Sequence, residues 1–338
     1  MIANQSELET SEIERIFAGF SKLRALVIGD VMIDAYYWGK VDRISPEAPV
    51  PVVAVTHTEH RLGGAANVAL NILSLGAKPI ICAVTGDDEK GKLFDQLLDE
   101  RKFDKGAMVK LPQRMTTVKT RVISGGHHLL RVDEETTRLL STEEEALFLA
   151  TCLPWIDKNK IDVVILEDYN KGVLTPTVIH AVCAKAKSVG IPVTVDPKKD
   201  QFFDYIGVDL FKPNFKELVE GLKIDVSKKD QAGIAAAIKA LKSRLQNTLT
   251  LVTLSEQGVV IDQDGAPQFI AAHPREILDV SGAGDTVISV ASLALALQAS
   301  PATIAILSNL AGGLVCEKVG VVPIELDRLK AEALKIAR

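Results

Sequence analysis

Hydrophobic and polar positions along this chain fall into two rhythms. From residue 140 onward, short apolar runs alternate with longer segments of helical spacing. Residues 161–166 and 191–195 read as strands, with a helix over 176–189 between them. A strand near Leu210 leads into a helix near Phe215, and residues 249–254 form a further strand. Helices follow from Val287 to Leu297, near residues 302–318 and over 326–336. This strand–helix–strand rhythm predicts a doubly wound, mostly parallel sheet with helices on both faces. Upstream, Leu8, Ile13, Ile16, Phe17 and Phe20 share helical spacing, so residues 1–22 read as a helical extension docked on a body of residues 23–338. The body opens with the buried strand Ala25-Leu26-Val27-Ile28, ending at Gly29-Asp30.

The second rhythm occupies residues 31–61 and 115–132. Val52, Val53 and Val55, then Val118, Thr120 and Val122, lie in short β-branched stretches with no helix inside either region. They predict a small, mostly antiparallel sheet apart from the main one, placed as a lid. Lys119, Arg121 and Arg131 lie on or beside these strands. If their face covers a pocket, they suit a phosphate on a substrate; otherwise they are a solvated face.

Composition narrows the class. The 338 residues are 47% hydrophobic and 25% charged, which describes a folded globular chain rather than a disordered one. The net charge of −5 gives no reason to expect nucleic acid or an anionic membrane as partner. Cys82, Cys152, Cys183 and Cys316 are widely spaced, as in the thiols of a reducing compartment. The N-terminus is polar and acidic without an apolar signal core, and the apolar run near residues 287–299 falls short of the ~20 residues a bilayer needs. The expectation is a cytoplasmic protein.

The stretch most suggestive of chemistry is Asp279-Val280-Ser281-Gly282-Ala283-Gly284-Asp285, directly before the apolar helix. Glycines let a backbone approach an anion, and the free N–H groups of a helix start favour negative charge. Asp285 beside such an anion site is a candidate base for phosphoryl transfer to a hydroxyl. The plainer reading is a helix start with a capping acid. Strand ends elsewhere carry polar groups: Asp30 and Asp34, Glu167 and Asp168 with Lys171, Asp196 with Lys198, and Asn214 with Glu217. In an open parallel sheet such ends border the ligand crevice. Gly63, Gly64 and Asn67 run straight into a helix, where glycines allow close approach and Asn67 offers hydrogen bonds. Asn214-Phe215-Lys216-Glu217 also has the form of a capped helix start. Residues 86–93 mimic a phosphate-binding loop, but Leu93 stands where magnesium needs a hydroxyl, and three consecutive acids would repel a triphosphate.

The Asp279–Asp285 stretch resembles the D-[TV]-[ST]-G-A-G-D signature of the ribokinase-like carbohydrate kinases. That resemblance extends over roughly residues 23 to 325 and includes the Gly-Gly…Asn and N-x-x-E elements in order. It implies the ribokinase-like α/β fold with a β-sheet lid, ATP as donor and Mg2+ as cofactor. It implies Asp285 as catalytic base, with Gly282, Ala283 and Gly284 as anion hole. Asn214, Phe215, Lys216, Glu217, Ser255 and Gly258 would border ATP, Glu217 would act on magnesium through water, and Asp279 would lie near a K+ site. Asp30, Asp34, Gly63, Gly64, Asn67 and Asp168 would contact the acceptor, with Lys119, Arg121, Arg131 and Lys171 as unranked candidates for its phosphate.

Three further stretches, residues 29–34, 43–52 and 168–172, resemble the branch of this family acting on D-glycero-β-D-manno-heptose 7-phosphate. They imply anomeric phosphorylation on the route to ADP-heptose and lipopolysaccharide. The nucleotidyltransferase motif H-x-G-H of many such relatives is absent, so the kinase half alone is expected. Residues 124–128 depart from the pattern of some relatives. The resemblance leaves another sugar or nucleoside kinase, or a non-catalytic sugar-phosphate sensor, as rivals, and a homodimer through the lid as an expectation.

Overall fold

The computed structural model describes residues 8–337. In chain order, α1 (Thr10–Phe20) precedes β1 (Arg24–Gly29), and two long strands follow, β2 (Val31–Ile44) and β3 (Pro51–Gly64). Next come α2 (Ala65–Ser74), β4 (Lys78–Gly86), α3 (Glu89–Glu100), β5 (Met108–Leu111), β6 (Val118–Ser124) and β7 (His127–Glu134). The second half runs α4 (Thr142–Cys152), β8 (Val163–Glu167), α5 (Pro176–Val189), β9 (Val193–Asp196), β10 (Leu210–Phe211), α6 (Phe215–Leu222) and α7 (Gln231–Leu245). It closes with β11 (Leu249–Thr253), β12 (Val259–Asp262), β13 (Gln268–Ile270), α8 (Ala283–Ala296), α9 (Pro301–Val315) and α10 (Leu326–Ile336).

The main sheet has the order β13-β12-β11-β10-β9-β8-β1-β4-β5. It is parallel from β5 to β11, and β12 alone is reversed, pairing antiparallel with both β11 and β13. Successive side chains of a strand point to opposite faces. Accordingly Ala25 and Val27 of β1 join one apolar layer with α1, α2, α8 and α9, while Leu26 and Ile28 join the other with α4, α5 and α7. Both faces are therefore covered, which is why β1 and β8 are almost wholly apolar. In α5, Thr175 caps the Val178 N–H and Pro176 presets the first turn, so its sequence boundaries match the observed helix.

The lid is a separate sheet of order β3-β2-β6-β7. Its outer pairs are antiparallel and its central β2–β6 pair is parallel. Register sorts its side chains onto two faces. Asp34 lies opposite Arg61 and Lys119, Lys119 opposite Asp133, and Arg121 between Tyr36 and Arg131. The other face carries Tyr37, Val41, Val55, Leu130 and Val132, all exposed. The expectation for residues 1–7 lies outside the described residues. Among the described residues all four cysteines are free thiols, and only Cys183 is not buried. No helix among them is long and apolar enough to cross a membrane.

Candidate active site

Parallel strands bring their carboxyl ends to one edge of the sheet, and the charged groups collect there. Asp30 follows β1, Glu167 ends β8, Asp196 ends β9 and Lys212 follows β10. The start of α8 closes onto this edge. Gly282, at φ +79°, occupies its N-cap, and a Cβ there would stand 2.9 Å from Asn67 Nδ2. A side chain at 282 would thus be strained and would push Asn67 away.

Asp285, one turn into α8, is buried, and each of its oxygens is anchored. Asn67 Nδ2 donates to Oδ2 at 2.7 Å, and the Tyr169 hydroxyl donates to Oδ1 at 2.7 Å. Asn67 is held in turn by Asn71, whose Nδ2 donates to the Asn67 carbonyl at 2.9 Å. Asn71 Oδ1 accepts from Thr286 Oγ1 and the Ile324 N–H. Burial pushes the Asp285 carboxyl up to about 6; the bonds from Asn67 and Tyr169 oppose this, and the charges of Asp196 and Asp34 add to it. A carboxyl with that value is ionised at neutral pH yet basic enough to accept a proton.

Glu167, Asp196 and Asp285 each bring one oxygen within 4.8 Å of the others. Their charge is balanced within the protein. Lys212 Nζ lies 2.8 Å from Asp196 Oδ2, with Lys198 Nζ 3.9 Å from Asp196 Oδ1. Glu167 is fully buried with neither oxygen hydrogen-bonded to a described residue, and burial, with Asp196 and Asp285 beside it, raises its pKa well above the ordinary carboxylate range.

Toward β10 and α6, Asn214 and Glu217 form a reciprocal capping box, each side chain accepting the other's backbone N–H at 2.8 Å. Glu217 Oε1 also accepts from Lys198 Nζ at 2.7 Å. Burial disfavours the Lys198 ammonium, but Asp196 and Glu217 outweigh it and hold its pKa above the ordinary value. The ammonium stands between two carboxylates where a cation is wanted, so this donor set fits a magnesium held by Glu217 through water. Phe215 packs on the apolar layer of α5 and α7, and Lys216 is an exposed residue paired with Glu220. Ser255, at φ +55°, accepts a bond from Lys228, and Gly258 ends the turn between β11 and β12. Of the three amides expected to form the anion hole, that of Ala283 donates to the Val280 carbonyl at 3.3 Å. The Gly284 backbone faces Asp196 and Lys212. Asp279 accepts from the Ser281 and Gly320 N–H groups, which together outweigh burial and lower its pKa.

On the acceptor side, Asp34 is buried, ion-paired with Arg121 and packed against Gly63. Gly64 makes the turn into α2. Lys119 lies 3.7 Å from Asp133 and 3.5 Å from Glu135, Lys171 lies 2.8 Å from Glu135, and Arg131 grips Asp133 with two nitrogens. The four candidate phosphate ligands thus share one region and are each paired with a carboxylate.

Two expected acceptor contacts have other work. Asp30 is buried, and its oxygens accept the backbone N–H groups of Tyr169, Lys171 and Val173. Asp168 is buried too, accepting from the Tyr205 hydroxyl at 2.8 Å and the Asn170 N–H. Both carboxylates are spent on shaping the loop after β8. Arg114 supports that loop from outside, donating to the carbonyls of Lys171 and Arg138. Tyr169, Asn71, Arg114 and Lys212 carry no role in the reading of the sequence; only the adjacency of Tyr169 to Asp168 and Lys171 hints at the site.

The family model described as pfkB family carbohydrate kinase matches residues 22–327. The chain is 39% identical over 326 residues to the bifunctional protein HldE of Geotalea uraniireducens (strain Rf4), covering 96% of this chain and 66% of that protein. It thus spans just under two thirds of that relative's length. Among solved structures, phosphofructokinase-2 from Escherichia coli in complex with potassium aligns with a TM-score of 0.76 at 19% identity, covering 94% of this chain and 99% of that one. Arabidopsis thaliana ribokinase complexed with ribose and ATP aligns with a TM-score of 0.69 at 17% identity, covering 93% and 98%. The fold is ribokinase-like, and the chain belongs to the pfkB family of carbohydrate kinases.

Proposed function

We propose that this carbohydrate kinase transfers the γ-phosphoryl group of ATP to the anomeric hydroxyl of D-glycero-β-D-manno-heptose 7-phosphate, giving the 1,7-bisphosphate for ADP-heptose and lipopolysaccharide synthesis. The observation that carries the reaction type is the buried Asp285 carboxylate, anchored at both oxygens at the start of α8. Kinases of this family use ATP with Mg2+. Asp285 accepts the proton of the acceptor hydroxyl as that oxygen bonds to phosphorus and the bond to the ADP oxygen breaks. The amides of Gly282 and Gly284, with Lys212 behind them, and that of Ala283 on leaving the Val280 carbonyl, face the charge carried across. Glu217 would hold magnesium through water, and the bound ion would supply neutralisation of the phosphates. Positioning and electrostatics dominate such transfers.

The acceptor assignment rests on the three stretches resembling the heptose-phosphate branch and on the likeness to HldE. Lys119, Arg121, Arg131 and Lys171 are the cations for the 7-phosphate, and binding would exchange their present carboxylate partners for phosphate oxygens. Asp34, Gly63, Gly64 and Asn67 line the sugar. A potassium ion beside the Asp279 turn is part of the proposal, supported by the potassium complex of the phosphofructokinase-2 neighbour. Two copies pair through the apolar outer face of the lid, and the enzyme works in the cytoplasm, where ATP is available.

The test is coupled ADP release with Mg-ATP, comparing heptose 7-phosphate with fructose 6-phosphate, ribose and adenosine. Selective turnover of heptose 7-phosphate is expected. Preference for another acceptor would overturn the heptose assignment and keep the fold and chemistry. Tight ATP binding without turnover of any would favour a sensor.

A further inference from the structure

Tyr169 lies in the 168–172 stretch without a role of its own in the reaction, yet it touches the base. Its hydroxyl donates to Asp285 Oδ1 at 2.7 Å, and Asn67 takes the other oxygen at the same distance. One donor per oxygen fixes the plane of a carboxylate, which has about four lone-pair positions. Two remain for an acceptor hydroxyl.

The chain invests several buried groups in placing this phenol. Asp30 accepts the N–H groups of Tyr169, Lys171 and Val173, and so holds the loop on both sides of the ring. Arg114 donates to the Lys171 and Arg138 carbonyls from the other side. Lys198 Nζ sits 5.2 Å from the ring centroid while bonding Glu217. A buried charge spent on three N–H groups of one short loop is costly to maintain unless the loop's position matters.

We propose that Tyr169 is the positioning residue of the base: its phenol holds the Asp285 carboxylate against Asn67 and keeps it ionised in a buried site. The inference rests on Asp285 being the base. Burial and the nearby Asp196 and Asp34 favour the protonated acid, whereas the phenol bonds best to the carboxylate. The groups facing Asp285 are Tyr169, Asn67, Glu167, Asp34 and Asp196, the last with its partners Lys212 and Lys198. Among them Tyr169 and Asn67 alone donate directly to Asp285, and Tyr169 approaches from the loop rather than from α2.

The experiment is the pH profile of kcat, at saturating Mg-ATP and the preferred acceptor, for the wild type, Tyr169→Phe, and the enzyme carrying 3-fluorotyrosine at 169. Loss of a hydrogen bond to a charged group corresponds to about a ten- to hundredfold effect. Tyr169→Phe is expected to lose kcat by that factor at pH 7, with KM for both substrates within about twofold, and to move the acid limb to higher pH. The stronger donor fluorotyrosine is expected to move the limb lower, an order that altered packing does not produce. Should Tyr169→Phe fold poorly, the fluorotyrosine enzyme decides alone. An acid limb unmoved in the folded variants would overturn the role of Tyr169 while leaving Asp285 untouched. If Asp285→Asn retains turnover, the base assignment itself falls, and this inference with it.

Discussion

Asn67 and Asp285 lie 218 positions apart in the chain and 2.7 Å apart in the fold. The contact joins the first turn of α2 to the first turn of α8. It links the Gly-Gly element that reads as an acceptor contact to the segment that reads as a catalytic one. Asn67→Ala removes a bond to a charged group, and kcat should fall about ten- to hundredfold. On the proposed acceptor role of Asn67, KM for the acceptor should rise while KM for ATP stays put. Steady-state kinetics on both substrates check this; equal effects on both would argue for a general loss of structure.

The pH dependence follows from the carboxyl held at about 6. A base must be deprotonated, so turnover should be constant above that value and decline as pH falls through it. The stability effect has the opposite sense. Between the ordinary 3.8 and about 6, the folded state keeps a proton the unfolded chain has released. The contribution of Asp285 to stability therefore declines as pH rises through that window and stays low above it. Paired kcat profiles and thermal unfolding from pH 4.5 to 8 separate the two, using Asp285→Asn as the unfolding control.

Lys212 is buried with its ammonium 2.8 Å from Asp196. Lys212→Met strands a buried carboxylate beside Asp285 and should cost about 3–5 kcal/mol. It should also raise the acid limb of turnover, since the cluster loses a positive charge. Denaturant unfolding and a pH profile check both; a variant as stable as the wild type would mean that Asp196 is neutralised in another way.

The lid's outer face exposes Tyr37, Val41, Val55, Leu130 and Val132 together, with Leu130 at 58% exposure. A contiguous apolar sheet face of this kind suits a second copy. Sedimentation equilibrium should give twice the 36.5 kDa of the chain, and Leu130→Glu should return it to the monomer mass. A monomeric wild type would remove the lid pairing.

The sequence made the layers legible because parallel strands covered on both faces are continuous apolar runs, and α5 even carried its cap and proline in plain view. It was less informative at β10, where Leu210–Phe211 is too short to show a period. Within the site, residues on one segment could be grouped: Asp279 to Asp285, Gly63 to Asn67, Asn214 to Glu217. Partnerships across the fold could not. Asp30 at a strand end looks the same whether it meets a sugar or three backbone N–H groups, and only the position of the 168–173 loop decides between them. Tyr169 and Lys212 were silent for the same reason, since their partners come from distant elements, α8 and β9.

The central claim is that Asp285 is the proton acceptor of a phosphoryl transfer. Its most direct test is kcat of Asp285→Asn beside the Mg-ATP dissociation constant of the same protein by calorimetry. A general base contributes about 10²–10⁴-fold, so turnover should fall by at least that much with ATP affinity nearly unchanged. Turnover within about tenfold of the wild type, in a variant that still binds ATP, would contradict it.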